Sequence, residues 1–275
     1  MTDNNKSWSF DNKNHTQLFD LTGKVAIVTG GSRGIGRGMA LALAQAGASV
    51  VIASRAVDKM KEVVDVIKSY GQDAIYISCD VQSKEDLKKL IDETNKKFGR
   101  LDVLVPNAGI SAGGPAEELS HENFDKVMDV NFNSVFYLCQ YAYPLLKANG
   151  GGKILTIGSE YSLHGSMRGI NYASAKHAIV GLTKSLAVSW AKDKIQVNCV
   201  IPGWIHSDLA GPAIDHPVIG GAIKAKTPDP RGYGFPEDMA GLTIFLASKS
   251  SDFITGQSIA VDGGFSVSMA PRAGL

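Results

Sequence analysis

Charge of one sign is missing. Lys and Arg number 28 and Asp and Glu 27, a formal net charge of +1 over 275 residues. That balance gives no electrostatic case for nucleic acid or an anionic membrane as the main partner. Cysteine is scarce. Cys79, Cys139 and Cys199 are odd in number, scattered, and each set in an apolar run, so they read as buried free thiols of a reducing compartment. No Cys-x-x-Cys pair or Cys/His cluster has metal spacing, so no metal site is expected. Long hydrophobic runs are also missing. The nearest, residues 130–146, is interrupted by Asn131, Asn133, Ser134 and Gln140 and is too short and polar to span a bilayer. Residues 1–20 are polar and Asn-rich and lack an apolar signal core, so they read as a flexible arm of a cytoplasmic protein.

What is present is a chain built for a core. Hydrophobic residues make up 44% of it, and its 30 glycines follow no collagen period, which points to tight turns and close backbone approaches. Strand-like segments are expected at 24–29, 48–54, 74–79, 102–105, 153–157, 195–201 and 258–261. Helix-like segments alternate with them at 35–46, 58–70, 84–98, 122–147, 172–192 and 236–247. In 122–147 the apolar residues Phe124, Val127, Met128, Phe132, Val135, Phe136, Cys139 and Tyr143 recur at three-and-four spacing. Alternation of this kind implies an α/β fold, one doubly wound domain over 21–275 with about seven parallel strands and helices on both faces. Residues 203–234, rich in Pro and Gly, are the least regular and read as a mobile lid over a substrate.

The first strand runs into Thr29-Gly30-Gly31-Ser32-Arg33-Gly34-Ile35-Gly36, and a helix follows. Gly30, Gly34 and Gly36 let the turn tighten, a pyrophosphate approach the backbone, and the helix pack close to the strand. The free N–H groups of that helix start then face the phosphates. The stretch also fits the Gly-x-Ser-x-Gly elbow of a hydrolase, but several strands precede such an elbow and only one does here. The second strand ends in Ser54-Arg55, with no carboxylate where a ribose-binding acid is usual. Arg55 and Arg33 suit a 2′-phosphate, which a guanidinium grips as a fork, so NADP(H) is expected over NAD(H). Each arginine also has a plainer reading as a solvated surface residue.

Tyr172 and Lys176 are four apart on a predicted helix and share a face. Ser159 follows the fifth strand, at the edge where α/β sheets bind ligands. A phenol ionises near pH ~10, and a lysine ammonium beside it would lower that value. Tyr172 could then give a proton to a carbonyl oxygen or take one from an alcohol, with Ser159 hydrogen-bonding the same oxygen.

With the glycine loop, these residues resemble the short-chain dehydrogenase/reductase family in its compact Rossmann-fold form. The resemblance covers about residues 21–264. It rests also on Asp80-Val81, Asn107-Ala108-Gly109, Asn131, Tyr172-Ala173-Ser174-Ala175-Lys176, Pro202-Gly203 and Val261-Asp262-Gly263-Gly264. It implies an Asn131–Ser159–Tyr172–Lys176 tetrad, with Asn131 interrupting the long helix and holding a water that links Lys176 to solvent. Ser32 and Ile35 would line the phosphate loop, and Asp80 and Val81 the adenine. Asn107 to Gly109 would lie at the adenine ribose, Lys176 on the nicotinamide ribose, and Pro202, Gly203, Ile205 and Ser207 around the nicotinamide. The resemblance also implies a homotetramer. Two departures stand out. Pro106 takes a place often held by a second Asn and removes a backbone donor. The turn at 227–236 is one residue longer than usual.

Asp20-Leu21-Thr22-Gly23-Lys24 and Pro202-Gly203-Trp204-Ile205 are similar to the gluconate and glucose dehydrogenase branch, though 3-oxoacyl-carrier-protein reductases share much of that pattern. Ser111, Glu160, Tyr161, His164, Arg168, Trp204 and His206 are the candidate pocket residues, a polar set able to hydrogen-bond a sugar acid or polyol. Glu160, His164 and Arg168 could equally face solvent. An enoyl reductase usually spaces its Tyr and Lys more widely. An epimerase of the extended branch is longer. A cofactor-binding sensor without chemistry would have no reason to keep Tyr172 and Lys176.

Overall fold

The computed structural model describes residues 15–269. Most of the expected N-terminal arm lies outside them. His15–Phe19 forms a 3₁₀ turn, and the Phe19 ring packs 6.4 Å from that of Phe245.

Seven strands form one parallel sheet: β1 (Val25–Thr29), β2 (Ser49–Ser54), β3 (Ala74–Ser78), β4 (Val103–Val105), β5 (Gly152–Ile157), β6 (Ile195–Pro202) and β7 (Ser258–Val261). Their order is β3-β2-β1-β4-β5-β6-β7, so the winding reverses between β1 and β4. Helices cover both faces. On one lie α1 (Gly34–Gln45), α2 (Val57–Ser69) and α9 (Ala240–Ala247). On the other lie α3 (Lys84–Phe98), α4 (His121–Met128), α5 (Ser134–Ala148) and α6 (Ile170–Trp190). Strand residues feed the two cores alternately, because successive side chains point to opposite faces. Ala26, Val28, Val50 and Ile52 pack with Met39, Leu43 and Met60. Ile27, Val51 and Leu104 pack with Leu87, Leu138 and Ile179. This two-sided burial is why β1 reads as an unbroken apolar run.

The expected helix over 122–147 is broken by a five-residue π-helical turn, Asp129–Asn133. The cause is local. The Asn131 side-chain amide donates to the Val127 carbonyl at 3.0 Å, the acceptor that its own main-chain N–H would take in a regular helix.

Residues 203–234 are more regular than expected. They contain α7 (Gly211–Ile214) and α8 (Pro217–Lys226). Pro212 and Pro217 fall in the first helical turns, where a missing N–H costs nothing. The longer turn at 227–236 is pinned by Arg231, whose guanidinium bonds Asp229 at 3.0 Å and Asp238 at 2.9 Å.

The N-terminal edge of the sheet is held by Asp102. Its carboxylate accepts from Arg100 in a bidentate pair at 2.8 Å, from Lys24 at 3.0 Å, from the Val25 N–H at 3.0 Å and from Asn149 at 2.8 Å. Burial alone would raise this carboxyl, but those donors together hold it below its ordinary value. The stability it contributes is therefore present above the unfolded value of 3.8 and lost as pH falls through the folded one. Asp102→Ala should cost about 3 kcal/mol at neutral pH, since it leaves charged partners uncompensated. In urea unfolding the gap between variant and wild type should shrink toward pH ~3. A gap that does not change with pH would rule out the carboxylate as its source.

Candidate active site

The reversal between β1 and β4 opens a crevice at the C-terminal edge of the sheet, and the glycine loop enters it from β1. Gly30 and Gly34 have φ of +66° and +53°, left-handed values that favour glycine. A Cβ on Gly30 would lie 2.8 Å from Asn107 Nδ2, and one on Gly36 would run into that same amide and the Gly30 carbonyl. α1 then starts with no side-chain cap on its free N–H groups. Ser32 is buried in the loop, and Ile35 packs against the core. This cradle has the room and the donors that a pyrophosphate requires.

Pro106 does not loosen the neighbouring loop. Asn107 Nδ2 donates to the Thr29 carbonyl at 2.9 Å, and the Ala108 N–H donates to Thr29 Oγ1 at 3.1 Å. Gly109 is exposed beside this clamp. Asn131 secures the next residue. Its Oδ1 accepts from the Ile110 N–H at 3.1 Å and its Nδ2 donates to the Ile110 carbonyl at 2.9 Å. Both amide hydrogens of Asn131 are thus committed, and what its side chain supplies here is a clamp on the loop.

The two arginines already have partners. Arg33 bonds Asp208 at 2.7 Å, and Arg55 lies 3.7 Å from Asp80. Both guanidiniums are more than half exposed at the mouth of the crevice. Ser54 caps the following turn by accepting from the Ala56 N–H. Val81 lies half-buried beyond Asp80.

β5 delivers Ser159, and α6 delivers Tyr172 and Lys176. The 3₁₀ turn Glu160–Ser162 is fixed from both sides. Ser159 Oγ accepts from the Tyr161 N–H at 3.2 Å, and Ser162 Oγ accepts from the Ser159 N–H at 3.1 Å while donating to the Lys176 carbonyl at 2.8 Å. Lys176 is buried. Its Nζ donates to the Ile157 carbonyl at 2.8 Å and lies 5.5 Å from the centre of the Tyr172 ring. Burial lowers the Lys176 ammonium to about 8. Tyr172 behaves differently from expectation. Burial pushes its phenol up to about 12, and the largest opposing contribution comes from Ser159, not from Lys176. In the chain alone, loss of water outweighs the cation that was expected to lower this group.

The pocket candidates divide. Tyr161 stands between Tyr172 and Trp204, ring centres 6.1 and 6.5 Å away, edge-on to both. Glu160 is buried and His164 half-buried, so the solvent-facing alternative fails for both; Arg168 is exposed. Ser111 is exposed on its loop. His206 packs against Tyr233 and Phe235, and its Nε2 lies 3.2 Å from the Asp215 carboxylate. Pro202 and Gly203 end β6 against Asp262, where a Cβ on Gly203 would lie 2.6 Å from the Asp262 Cα. Ile205 is buried, and Ser207 lies over Gly34.

Two positioning residues escaped the sequence reading. Ser162 was legible as the second member of a Ser-x-x-Ser cap. Asn171 is fully buried; it donates to the Ala112 carbonyl at 2.7 Å and accepts from the Tyr172 N–H at 2.8 Å, fixing the start of α6. Only its place beside Tyr172 hinted at this.

A family model described as enoyl-(acyl carrier protein) reductase matches residues 30–266. A tropinone reductase homologue of Arabidopsis thaliana is 39% identical over 250 residues, 90% of this chain and 94% of its own. The 2-dehydro-3-deoxy-D-gluconate 5-dehydrogenase of Dickeya dadantii is 36% identical over 248 residues, 90% of this chain and 97% of its own. A gluconate 5-dehydrogenase from Burkholderia cenocepacia, solved with NADP and tartrate, superposes with a TM-score of 0.88 at 34% identity, over 92% of this chain and 99% of that one. The chain belongs to the short-chain dehydrogenase/reductase family and is an oxidoreductase.

Gly36→Ala should weaken binding of a nicotinamide dinucleotide by about tenfold or more, ~1.4 kcal/mol, with the circular dichroism of the sheet retained. Wild-type affinity in a fluorescence titration would show that the loop is not the phosphate cradle.

Proposed function

We propose that this chain is an NADP(H)-dependent dehydrogenase or carbonyl reductase whose substrate is a small polyhydroxylated molecule, a sugar or sugar acid. The reading is carried by Tyr172 and Lys176, one turn apart on α6, facing Ser159 at the sheet edge that also holds the glycine cradle. Relatives named as gluconate-type dehydrogenases support the substrate class, as does a structural neighbour solved with NADP and a hydroxy acid. A 3-oxoacyl-carrier-protein reductase has less support. Its acidic partner would favour a basic entrance, but Arg33 and Arg55 are paired with Asp208 and Asp80, and exposed Arg168 by itself does not make a basic patch.

The dinucleotide, when bound, supplies or accepts the hydride. The chain handles the proton. At neutral pH a phenol raised to about 12 keeps its proton and can donate it to a carbonyl oxygen as negative charge develops there. Ser159 Oγ holds the same oxygen. In the oxidative direction Tyr172 has to ionise, which positive charge favours, from Lys176 and from an oxidised nicotinamide. After carbonyl reduction Lys176, near its midpoint at about 8, can resupply the proton to Tyr172. A relay water would have to be held by the main chain of Asn131, whose side-chain N–H groups are committed to Ile110 and Val127. Around the dinucleotide, Asp80 and Val81 would flank the adenine, Asn107 to Gly109 its ribose, and Pro202, Gly203, Ile205 and Ser207 the nicotinamide. We also read the assembly as a cytoplasmic homotetramer. Exposed Ile170 and Val188 on α6, and Phe253 before β7, support such faces.

Tyr172→Phe should lower kcat by about 10²- to 10⁴-fold while leaving dinucleotide affinity near wild type. Wild-type turnover in that variant would overturn the mechanism. Arg55→Ala should weaken NADPH by about tenfold or more and NADH hardly at all. Equal losses would mean that Arg55 does not read the 2′-phosphate.

A further inference from the structure

Glu160 follows the active-site serine directly, yet the proton transfer above has no use for it. The residue is only 5% exposed, and its Oε2 is closed to solvent without a hydrogen-bond partner. Two neighbours share that condition. Nε2 of His164, whose main-chain N–H bonds the Glu160 carbonyl, and Nε1 of Trp204, beyond β6, are also buried and unpaired. Three of the four such side-chain atoms among the described residues therefore belong to the 160–164 turn and to Trp204, whose ring meets that of Tyr161 in the same turn. Buried polar atoms are nearly always satisfied, so these three call for a partner group that the chain itself does not provide. Tyr161 connects the cluster to the reacting groups, since its ring meets Tyr172 on one side and Trp204 on the other.

We propose that Glu160 in its protonated form, with the Trp204 indole N–H and His164, makes a subsite for the carboxylate of a polyhydroxy keto acid, and so selects acidic over neutral substrates. This inference rests on the carbonyl-reductase reading of the same cleft. All three groups can donate to a carboxylate, Glu160 only while it holds its proton. The groups that bear electrostatically on it are Tyr161 from its own turn, Tyr172 from α6, Lys226 from the end of α8 and Asp262 after β7. Burial pushes the Glu160 carboxyl up to about 8, with Lys226 opposing and Asp262 adding. At neutral pH the donor form dominates. Above that value the ionised side chain repels a substrate carboxylate, and a bound carboxylate in turn favours keeping the proton.

The test is equilibrium binding of gluconate and of glucitol, its neutral polyol counterpart, to the NADP⁺-loaded protein from about pH 6 to about pH 10. Wild type should bind gluconate better than glucitol, and the gluconate Kd should rise about tenfold per pH unit above the Glu160 midpoint. Glucitol binding should stay flat. Glu160→Gln, which donates at every pH and never ionises, should remove the rise. Glu160→Leu should weaken gluconate by about tenfold or more throughout. The same alkaline rise in Glu160→Gln as in wild type would overturn the proposal, as would glucitol bound as tightly as gluconate. Reduction of 2,3-butanedione in the same preparations separates the two readings. Turnover without preferential gluconate binding sinks only the subsite. Preferential, pH-dependent binding without turnover of any carbonyl sinks only the catalytic reading.

Discussion

Where the sheet reverses direction, the glycine loop and the loop after β4 pass within contact distance, and the Asn107 amide fills the space between them. There is no room for a Cβ on Gly30 or Gly36. The rest of the edge follows from that approach. Thr29 can reach the Ala108 N–H only because the loops touch, and this sets the path of the chain to Ile110. Asn131 then clips Ile110 at the cost of a regular helix turn, so the π-helical bulge belongs to the same constraint.

Dryness sets the chemistry of the other wall. Tyr172, Lys176 and Glu160 are all displaced in the direction that keeps them neutral. One physical cause, loss of water around a charge, moves a phenol and a carboxyl up and an ammonium down. At pH 7 that leaves Tyr172 and Glu160 neutral, while Lys176, with its midpoint at about 8, stays mostly protonated as a desolvated cation. Charge brought by a ligand is then felt strongly, because little water screens it.

How much of this was legible in the sequence depends on the range of the interaction. The strands and most helices were, because apolar period and glycine stops are local signals; β1 and α3 differ from expectation by at most a residue. The placing of Ser159, Tyr172 and Lys176 beside one another, and of the glycine loop at the start of α1, was legible because their spacing is fixed by one turn of helix or one strand–helix junction. α7 and α8 were missed because Pro212 and Pro217 read as breakers, when at a helix start they are starters. The burial of Glu160 was not legible at all. The water lost around it is not visible in a local pattern, and the charges that act on it, Lys226 and Asp262, arrive from distant segments. The raised phenol of Tyr172 was missed for the same reason, since a four-residue spacing shows the cation and not the water excluded around it.

On the proposed reading, the binding groups of this cleft are held in two opposite ways. At the mouth, Arg33 and Arg55 are exposed and paired with Asp208 and Asp80. Such pairs contribute about 0–1 kcal/mol, so exchanging a carboxylate for a phosphate costs little and the guanidiniums are preordered meanwhile. At the floor, Glu160, His164 and Trp204 present buried atoms with no partner. Leaving each unsatisfied costs on the order of 1–3 kcal/mol, which a fitting ligand group returns as affinity and an ill-fitting one does not. On that reading the mouth would be tolerant and the floor selective. The stability that the floor gives up has to be supplied elsewhere, and the Asp102 clamp at the far edge of the sheet is well placed to supply it without touching the chemistry.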